Sequence, residues 1–242
     1  MHPHVKYLIE KEYAAQRSQE WLDLRGKMLT ASDAATAIGV NPYEKPEGLI
    51  LKKCGYNKFY GNEATAHGNK YEDEARDKWC DQTGEVCHEI GLHPHPVHKW
   101  LGGSPDGITE SGKLVEIKCP LKRKITPEVP VYYMPQLQLL MEILDLEEAV
   151  FIQYKPAELT WPGPCEFCVT EVKRDRQWFQ DQLPVMDALW KRVLWHRENG
   201  VEGLIKPKRP RAARKKPEPE PEKCLVKEYD EDQVSDESLN LF

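Results

Sequence analysis

Two carboxylates and one lysine lie near the middle of the sequence at a spacing that suits phosphodiester chemistry. Asp106 lies in the segment Gly103-Ser104-Pro105-Asp106-Gly107, and Glu116 and Lys118 follow in the run Leu114-Val115-Glu116-Ile117-Lys118. Residues two apart in a β-strand point to the same face, so Glu116 and Lys118 are expected to project together. The glycines around Asp106 allow the chain to turn back beside that strand, which would bring the three side chains to one place.

This set of side chains suits metal-assisted hydrolysis. Mg²⁺ prefers hard oxygen ligands and keeps several waters, so two carboxylates and a substrate phosphate make a natural site. Such an ion lowers the pKa of a bound water and stabilises the attacking and leaving oxygens. A neighbouring lysine orients that water and offsets charge on the phosphate. Taken alone, Glu116 and Lys118 fit a solvated pair on an exposed strand face equally well, and that plainer interpretation is the commoner one.

The elements that must position these residues follow from periodicity and turn signals. Helices are predicted after Ser18 and from Thr30, and over 46–54, 63–83, 131–144 and 175–197, with a kink or a boundary at Pro184. Strands are predicted over 85–91, 100–102, 113–119, 149–154 and 167–172. This order predicts an α/β (α+β) fold with a central mixed β-sheet flanked by helices.

Four segments, taken in order, carry a family resemblance: Arg25-Gly26 with Thr30-Ala31-Ser32; His67-Gly68-Asn69-Lys70-Tyr71-Glu72; Ser104-Pro105-Asp106-Gly107 with Glu116-Ile117-Lys118; and Tyr133-Met134-Pro135-Gln136-Leu137-Gln138. Together they resemble the PD-(D/E)XK nuclease superfamily, in particular its lambda-exonuclease or YqaJ-type viral recombinase family. The resemblance runs from about residue 18 to residue 155. It implies a restriction-endonuclease-like core.

The resemblance also implies site roles. The catalytic residues would be Lys118, Glu116, Asp106, Gln136 and Glu72. The metal ligands would be Asp106, Glu116, the backbone carbonyl of Ile117, and Glu72, whose motif is the loosest match. The residues that hold DNA phosphate would be Arg25, Ser32, Ser104 and Tyr133. Elementary chemistry agrees for two of them, because Arg25 can bind phosphate through two N–H groups and Ser32 lies at a helix start, where free N–H groups favour anions.

By resemblance, the expected activity is a Mg²⁺-dependent exonuclease, with Mn²⁺ as a substitute. It would digest linear duplex DNA 5′ to 3′ and leave 3′ single-stranded overhangs for recombination or end processing. A single-strand annealing protein and a homotrimer are the partners that the family suggests. A structure-specific or restriction-like endonuclease on the same fold is the alternative. A DNA-binding or partner-docking protein without catalysis is a third, which the intact acid–acid–lysine set disfavours.

Two clusters of metal-binding residue types are expected to hold no metal. Cys165 and Cys168 form a lone CxxC with no second pair, so no iron–sulfur cluster is predicted. His93, His95 and His98 alternate with prolines, and we expect an exposed loop, lining the mouth of the site, rather than a zinc site. Three tryptophans follow helical spacing near the C-terminal end, which favours core or subunit contacts over DNA stacking: Trp178, Trp190 and Trp195.

Composition sets the remaining limits. Residues 206–216 hold seven basic residues and no acidic one, whereas 217–242 holds nine acidic residues and two basic ones. The net charge of −6 therefore lies mainly in the tail, and a near-neutral body can still carry a basic groove. We predict a nuclease domain over 1–203 and a basic linker with an acidic, disordered tail over 204–242. The basic run fits a solvated linker, a nuclear import signal or a phosphate-contacting arm.

The expected location of the protein follows from two kinds of segment that the sequence lacks. No run of apolar residues is long enough for a transmembrane helix, and the first residues lack the order of a signal peptide. We therefore expect an intracellular protein with no membrane partner, in cytoplasm or nucleus. The family adds the expectation of a viral protein inside a host cell.

Overall fold

A five-stranded and a three-stranded β-sheet lie among eight helices in the part of the chain that the structure describes. The computed structural model describes residues 1–205 apart from His2, Glu12 and 57–60, and the range Met1–Ile205 forms one compact unit. The helices are α1 (Pro3–Glu10), α2 (Gln19–Gly26), α3 (Ala34–Ala37), α4 (Pro46–Lys53), α5 (Glu63–Thr83), α6 (Met134–Leu144), α7 (Ala157–Thr160) and α8 (Arg176–Asn199). Single 3₁₀ turns span Ala31–Asp33 and Glu202–Leu204.

The strands form one large and one small sheet. They are β1 (Leu29–Thr30), β2 (Cys87–His88), β3 (His93–Pro94), β4 (Leu101–Gly103), β5 (Gly107–Thr109), β6 (Lys113–Lys118), β7 (Glu148–Lys155) and β8 (Glu166–Lys173). The large sheet has the order β2-β5-β6-β7-β8, and the small one β1-β4-β3. In the large sheet β6 and β7 are parallel and joined through α6, while the other pairs are antiparallel. The predicted mixed sheet flanked by helices is confirmed.

Helices cover both faces of the large sheet. On one face, Leu114 and Phe151 join a core with residues of α6 and α8. On the other face, Val115 and Ile117 pack with residues of α5 such as Trp79. Strand alternation therefore places Glu116 and Lys118 on the α6 side of the sheet, under a helix rather than in open solvent.

Local chemistry explains where the helices begin and end. The Ser18 hydroxyl accepts a hydrogen bond from the Trp21 amide (3.2 Å), which caps α2 as predicted. The helix predicted over 63–83 matches α5, which begins after the Asn62 cap and ends at Gly84 with φ 71°. Pro184 lies inside α8, and the helix continues through it.

Some elements differ from the sequence-based expectation. The strand predicted over 85–91 is only Cys87–His88, and five short helices and strands were not predicted: α1, β1, β3, β5 and α7. Glycines 103 and 107 were expected to provide turning freedom, but neither has positive φ. A Cβ at residue 103 would lie 2.5 Å from Leu140 Cδ2, and one at residue 107 would collide with Cys87 Sγ, so close packing excludes a side chain there.

The predicted boundary at residue 203 lies just inside the compact unit, which reaches Ile205. The basic run 206–216, the acidic tail and Cys224 lie outside the described residues. Within the described part of the chain, no helix has the length and apolar character needed to cross a bilayer.

Candidate active site

A single β-hairpin fixes the spacing of two acidic residues. Asp106 comes immediately before β5, and Glu116 lies in β6, which pairs with β5 through Gly107–Val115 and Ile108–Leu114. The Asp106 Oδ2 atom accepts a hydrogen bond from the Ile117 amide (2.7 Å). Asp106 is thereby held beside the strand that carries Glu116, as the sequence predicts.

Glu116 is almost completely buried, with 1% of its surface exposed. Its Oε1 atom accepts hydrogen bonds from Lys118 Nζ and from Gln136 Nε2 (2.5 Å). Its Oε2 atom has no hydrogen-bond partner within the described part of the chain. The interpretation of Glu116 and Lys118 as a solvated surface pair is therefore wrong, because α6 covers that face of the sheet.

Three acids, Glu72, Asp106 and Glu116, form what we call the acid cluster. Burial, followed by the nearby charge of Asp106, raises the pKa of Glu116 to about 8 and that of Glu72 to about 7. Burial alone would lower the pKa of Lys118, but the charges of Glu116 and Asp106 outweigh it and raise that pKa. Burial and the closeness of the acids therefore favour their protonated forms unless a further positive charge approaches them.

Helix α6 brings two more predicted residues to the acid cluster. Gln136 lies in its first turn, and Tyr133 is its N-cap residue. The Lys118 ammonium lies 5.5 Å from the centre of the Tyr133 ring, which packs in turn on Phe151 of β7 (5.6 Å between centroids). Tyr133 and Gln136 therefore lie on the same side of this helix start, and both line one cavity.

An open cavity of about 710 Å³ gives access to these residues. Among the residues that line it are Glu72, Asp106, Ile117, Lys118, Tyr133 and Gln136. We call this space the catalytic cavity. It is the place where the sequence-predicted acids, lysine, glutamine and tyrosine meet.

The acid cluster fits a hard divalent cation. The Oε2 atom of Glu116 is an oxygen ligand without a hydrogen-bond partner in the described chain, and the nearby charge of Asp106 adds to burial in raising the pKa values of Glu116 and Glu72. Over the described residues, no group of three or more His, Cys, Asp and Glu side chains is arranged as a complete metal cage. Backbone oxygen, water and phosphate would therefore complete the coordination, as is usual for Mg²⁺.

Glu72 is held by two arginines as well as by the cluster. Its carboxylate pairs with Arg17 (3.2 Å) and Arg76 (3.6 Å). Arg17 adopts a left-handed backbone conformation, φ 68°, which is uncommon for a residue with a side chain. Neither arginine was singled out from the sequence, because both lie far along the chain from the acids at 106 and 116.

A second group of predicted residues surrounds Arg25. The Arg25 guanidinium stacks 4.3 Å from the Trp21 ring and donates a hydrogen bond to Ser32 Oγ (2.8 Å). Trp21 Nε1 donates to Ser104 Oγ (3.4 Å). We call these four residues the Arg25 cluster. Burial lowers the pKa of Arg25, while the charges of Asp33 and then Glu116 oppose this, so the cluster lies within electrostatic reach of the acids.

A buried ion pair, for which there is no local sequence signal, supports the Arg25 cluster. Lys53 Nζ pairs with Asp33 (2.6 Å), and both side chains are nearly inaccessible. Lys53 also donates to the backbone carbonyls of Arg25 (2.9 Å) and Met28 (2.8 Å). Asp33 Oδ2 accepts from the Thr30 amide and hydroxyl, and the Thr30 hydroxyl lies 3.1 Å from that of Ser32. A continuous chain of polar contacts thus runs from Lys53 to Arg25.

The expectation of an exposed histidine loop at the mouth of the site is wrong. His93 and His95 are 3% and 4% exposed, and neither lines the catalytic cavity. His93 pairs in β3 and stacks on Tyr13 (3.5 Å between centroids). His95 Nδ1 accepts from the backbone amides of Val97 and His98, so the ring closes a proline-containing turn. Burial lowers the pKa of both rings.

The tryptophans of α8 divide between core and surface. Trp190 is buried and Trp178 packs against the same core, which confirms the core assignment for these two. Trp195 is 57% exposed. Cys165 and Cys168 are both half-buried free thiols.

Comparison with known proteins agrees with this geometry. A family model described as the YqaJ-like viral recombinase domain matches residues 20–147, more than half of the chain. The chain belongs to this family.

Viral proteins are among the relatives of this family member. A protein of Acanthamoeba polyphaga mimivirus is 33% identical over 159 residues, which make up 58% of this chain and 29% of that protein. A protein of African swine fever virus (strain Badajoz 1971 Vero-adapted) is 30% identical over 161 residues, 53% of this chain and 46% of that protein. The chain thus spans less than half the length of these relatives.

Two solved structures share the fold. An alkaline exonuclease from Laribacter hongkongensis superposes with a TM-score of 0.63 at 24% identity, covering 75% of this chain and 95% of that one. A phage-related exonuclease from Haemophilus somnus 129PT gives a TM-score of 0.53 at 15% identity, covering 74% and 96%. This family member therefore shares its fold with these two structures.

Proposed function

We propose that this chain is a Mg²⁺-dependent exonuclease that digests linear duplex DNA from a 5′ end and leaves 3′ single-stranded overhangs. The observation that carries the proposal is one open cavity lined by Asp106, Lys118 and Gln136, with the buried Glu116 hydrogen-bonded to Lys118 and Gln136 and its Oε2 atom left without a partner in the described chain. These are the groups that metal-assisted phosphodiester hydrolysis requires.

The side chains divide the chemical work. Asp106, Glu116, Glu72 and the Ile117 carbonyl would hold the metal, with Mn²⁺ as a substitute. When bound, that ion supplies Lewis acidity to the phosphate and lowers the pKa of a water ligand. Lys118 is fixed by Glu116 and lies over Tyr133, so its ammonium can orient the attacking water and offset charge on the phosphate. Gln136 keeps Glu116 oriented while its remaining amide atoms can bind the same water.

The Arg25 cluster supports cleavage at a DNA end rather than at an internal phosphodiester bond. Arg25, Ser32 and Ser104 offer a guanidinium and two hydroxyls for a terminal phosphate, and Trp21 fixes the guanidinium plane. Tyr133, which lies beside Lys118 and outside the Arg25 cluster, would add a third hydroxyl. The exonuclease names of the structural relatives agree with end-directed cutting. The 5′ polarity rests on the family resemblance.

A time course on linear duplex DNA tests the proposal. The duplex carries a label at one 5′ or one 3′ end, with and without a 5′-phosphate, and Mg²⁺ starts the reaction. We expect early release of the 5′ label, faster from phosphorylated ends, and late release of the 3′ label. Closed circular DNA that is nicked as fast as linear DNA is digested would instead establish the endonuclease alternative.

The wider setting is also part of the proposal. The viral relatives support a role in recombination or end processing of viral DNA inside a host cell. A single-strand annealing protein would use the overhangs, and a homotrimer would enclose the DNA. No iron–sulfur cluster takes part. Sedimentation of the purified chain with and without duplex DNA measures the oligomeric state.

A further inference from the structure

The turn that precedes α2 places an arginine where the backbone favours glycine. The Ser18 amide donates a hydrogen bond to the Ala15 carbonyl (3.1 Å), which closes a four-residue turn. Arg17, the third residue of this turn, has φ 68°. Glycine suits this position because it adopts positive φ without steric cost, whereas a residue with a Cβ is strained there. Strained residues of this kind gather at functional sites, so the Arg17 side chain is a candidate for a role in the chemistry.

The turn is fixed to the hairpin that carries Asp106. Gln16 Nε2 donates to the backbone carbonyls of Pro105 (2.9 Å) and Ile90 (3.2 Å). Pro105 immediately precedes Asp106 in the sequence. The position of Arg17 relative to the acid cluster is therefore set by the contacts of its neighbour, and its own side chain is not required to hold the turn in place.

The same turn leads directly into the helix that carries part of the Arg25 cluster. Ser18, its last residue, is the N-cap of α2. The Trp21 ring, on which the Arg25 guanidinium stacks, belongs to the first turn of that helix. Arg17 is therefore connected through its neighbours to the acid cluster on one side and to the Arg25 cluster on the other.

The Arg17 guanidinium has room and donors for a ligand. Its Nη2 atom donates to Glu72 Oε2 (3.2 Å), the one hydrogen bond that it makes to the described residues, and 55% of the side chain is exposed. A guanidinium has five N–H groups, so donors remain for an anion. Arg76 also pairs with Glu72, but its side chain is 11% exposed and is engaged by Asp73 and Glu89 as well. Of the two arginines, Arg17 is thus the one that can bind substrate.

A phosphate is the anion that this position favours. In the proposed function the acid cluster holds the metal, and the phosphate that is cut lies beside the cluster and beside Lys118. A phosphate in that place is next to Glu72, and hence next to the exposed guanidinium of Arg17. The planar fork of an arginine donates two parallel hydrogen bonds to phosphate oxygens. Donors aimed at oxygens on which negative charge develops lower the barrier to cleavage.

We propose that Arg17 is a further catalytic residue, which donates hydrogen bonds to the phosphate that is cut and offsets the negative charge that develops on it. The proposal rests on the proposed nuclease function for the identity of the substrate. It gives two arginines separate tasks: Arg25 holds the terminal phosphate, and Arg17 holds the phosphate at which the strand is cleaved.

Single-turnover digestion of linear 5′-phosphorylated duplex by the full chain tests the catalytic role. Arg17→Gly should lower the rate at saturating protein roughly hundredfold, because it removes a donor to the reacting phosphate. Its melting temperature should stay close to that of the parent, since glycine adopts positive φ freely. Arg17→Lys should keep part of the rate, because the charge remains and the fork is lost. Lys6→Ala, at an exposed cation of α1, is the matched control. Arg17→Gly protein that cleaves as fast as this control would overturn the proposal.

Metal binding separates a contact with phosphate from a contact that only supports Glu72. Electron paramagnetic resonance of the free ion measures the affinity of the DNA-free protein for Mn²⁺. We expect the parent and Arg17→Gly to bind Mn²⁺ with nearly the same affinity, because Arg76 still holds Glu72. A loss of Mn²⁺ affinity as large as the loss of rate would show that Arg17 acts through Glu72, against the proposed contact.

An uncharged linkage identifies the phosphate that Arg17 contacts. A single methylphosphonate replaces each of the first three linkages from the 5′ end of a linear duplex in turn, and anisotropy in Mg²⁺ measures binding to proteins that carry Lys118→Ala. At the linkage that is cut, the methylphosphonate should weaken binding about tenfold when Arg17 is present and much less in Arg17→Gly. Equal losses for both proteins at all three linkages would refute the contact.

The two proposals fail in different ways. If the parent chain digests linear duplex but neither its rate nor its binding depends on Arg17, the nuclease function stands and the role of Arg17 is refuted. If the parent chain digests no DNA but its binding shows the dependence on Arg17 at one linkage, the contact with phosphate stands and the nuclease function is refuted.

Discussion

The acid cluster and the Arg25 cluster lie within electrostatic reach of each other but are stabilised in opposite ways. Beneath Arg25, the buried charges of Lys53 and Asp33 face each other at 2.6 Å, and the hydrogen bonds around them are made by the chain itself. In the acid cluster, Glu116 keeps a buried oxygen without a partner in the described chain, and burial together with Asp106 raises its pKa to about 8.

The polar groups beneath Arg25 are all partnered within the chain, whereas the Glu116 Oε2 atom of the acid cluster has no partner in the described chain. The Lys53–Asp33 pair needs nothing from outside, so its purpose is to hold the backbone at Arg25 and Met28 in one place. In the acid cluster the Glu116 Oε2 atom remains without a partner in the described chain, which suits a site for a cation. Substitutions should therefore change stability at the first and chemistry at the second.

The largest expected effect is on the chemical step. Lys118→Ala should lower the cleavage rate by about 10³-fold or more, because it removes the group that orients water and offsets phosphate charge. Single-turnover digestion of linear duplex measures it, and DNA affinity should be nearly unchanged. Lys113→Ala, at the other end of β6, is the matched control, since Lys113 pairs with the exposed Glu171. A Lys118→Ala protein as active as the Lys113→Ala protein would refute the assigned role.

The next effect is on stability beneath Arg25. Lys53→Met should lower the free energy of unfolding by about 3–5 kcal/mol, because Asp33 is left buried and unpaired. Urea unfolding measures this. Adding Asp33→Asn should recover part of the loss, since the uncompensated charge is gone.

Lys52 provides the control for Lys53. It also pairs with Asp33 (3.5 Å), but its side chain is 40% exposed. Lys52→Met should cost about 1 kcal/mol or less. Equal losses for the two variants would show that the buried pair is not the support described above.

A smaller effect concerns the terminal phosphate. Arg25→Lys keeps the charge but loses the planar fork and its stacking on Trp21. We expect the preference for 5′-phosphate over 5′-hydroxyl ends to fall about tenfold, with little change in the rate on hydroxyl ends. Parallel time courses on the two substrates measure the ratio. An unchanged ratio would remove Arg25 from end recognition.

A further effect is a pH dependence of stability without metal. Glu116 and Glu72 have pKa values of about 8 and 7 in the folded protein, above their ordinary value of 4.5. The folded state therefore binds more protons than the unfolded chain, and stability should fall as pH rises from about 4.5 to 8. Melting temperatures in EDTA test this.

Both Mg²⁺ and the substitution Glu116→Gln should reduce this dependence of stability on pH. Mg²⁺ competes with protons for the carboxylates, so it should stabilise the protein most near pH 8. Glu116→Gln removes the titrating group and should weaken both the pH dependence and the effect of Mg²⁺. A melting temperature that rises with pH in EDTA over this window would contradict the assigned pKa directions.

Sequence reasoning was most successful where the signals are local. Helix α5 was predicted with the bounds that the structure has, and its ends are marked by Asn62 and Gly84. The shared orientation of Glu116 and Lys118 followed from the two-residue repeat of a strand. The hairpin that brings Asp106 to them spans only a few residues.

Features that depend on distant packing could not be predicted in the same way. The burial of Glu116 requires α6 to cover its face, and strand alternation alone does not reveal which helix lies there. The Lys53–Asp33 pair joins two elements through tertiary contact, without a local pattern. His93 and His95 follow prolines and glycine, which suggested a surface loop, yet each ring finds aromatic and backbone partners in the core.

The hydrogen bond from the Ile117 amide to Asp106 has a consequence for how the site assembles. It joins residues eleven positions apart within one hairpin, so the two acids acquire their spacing by a short loop closure, whereas Gln136 arrives only after the chain has crossed from β6 through a long connection. Short hairpins close within about 1–10 μs, much faster than whole domains with distant contacts form. The distance between the two acids is thus set by contacts between residues that are close in sequence. Substitutions in the surrounding helices can change the stability of the hairpin without changing that distance.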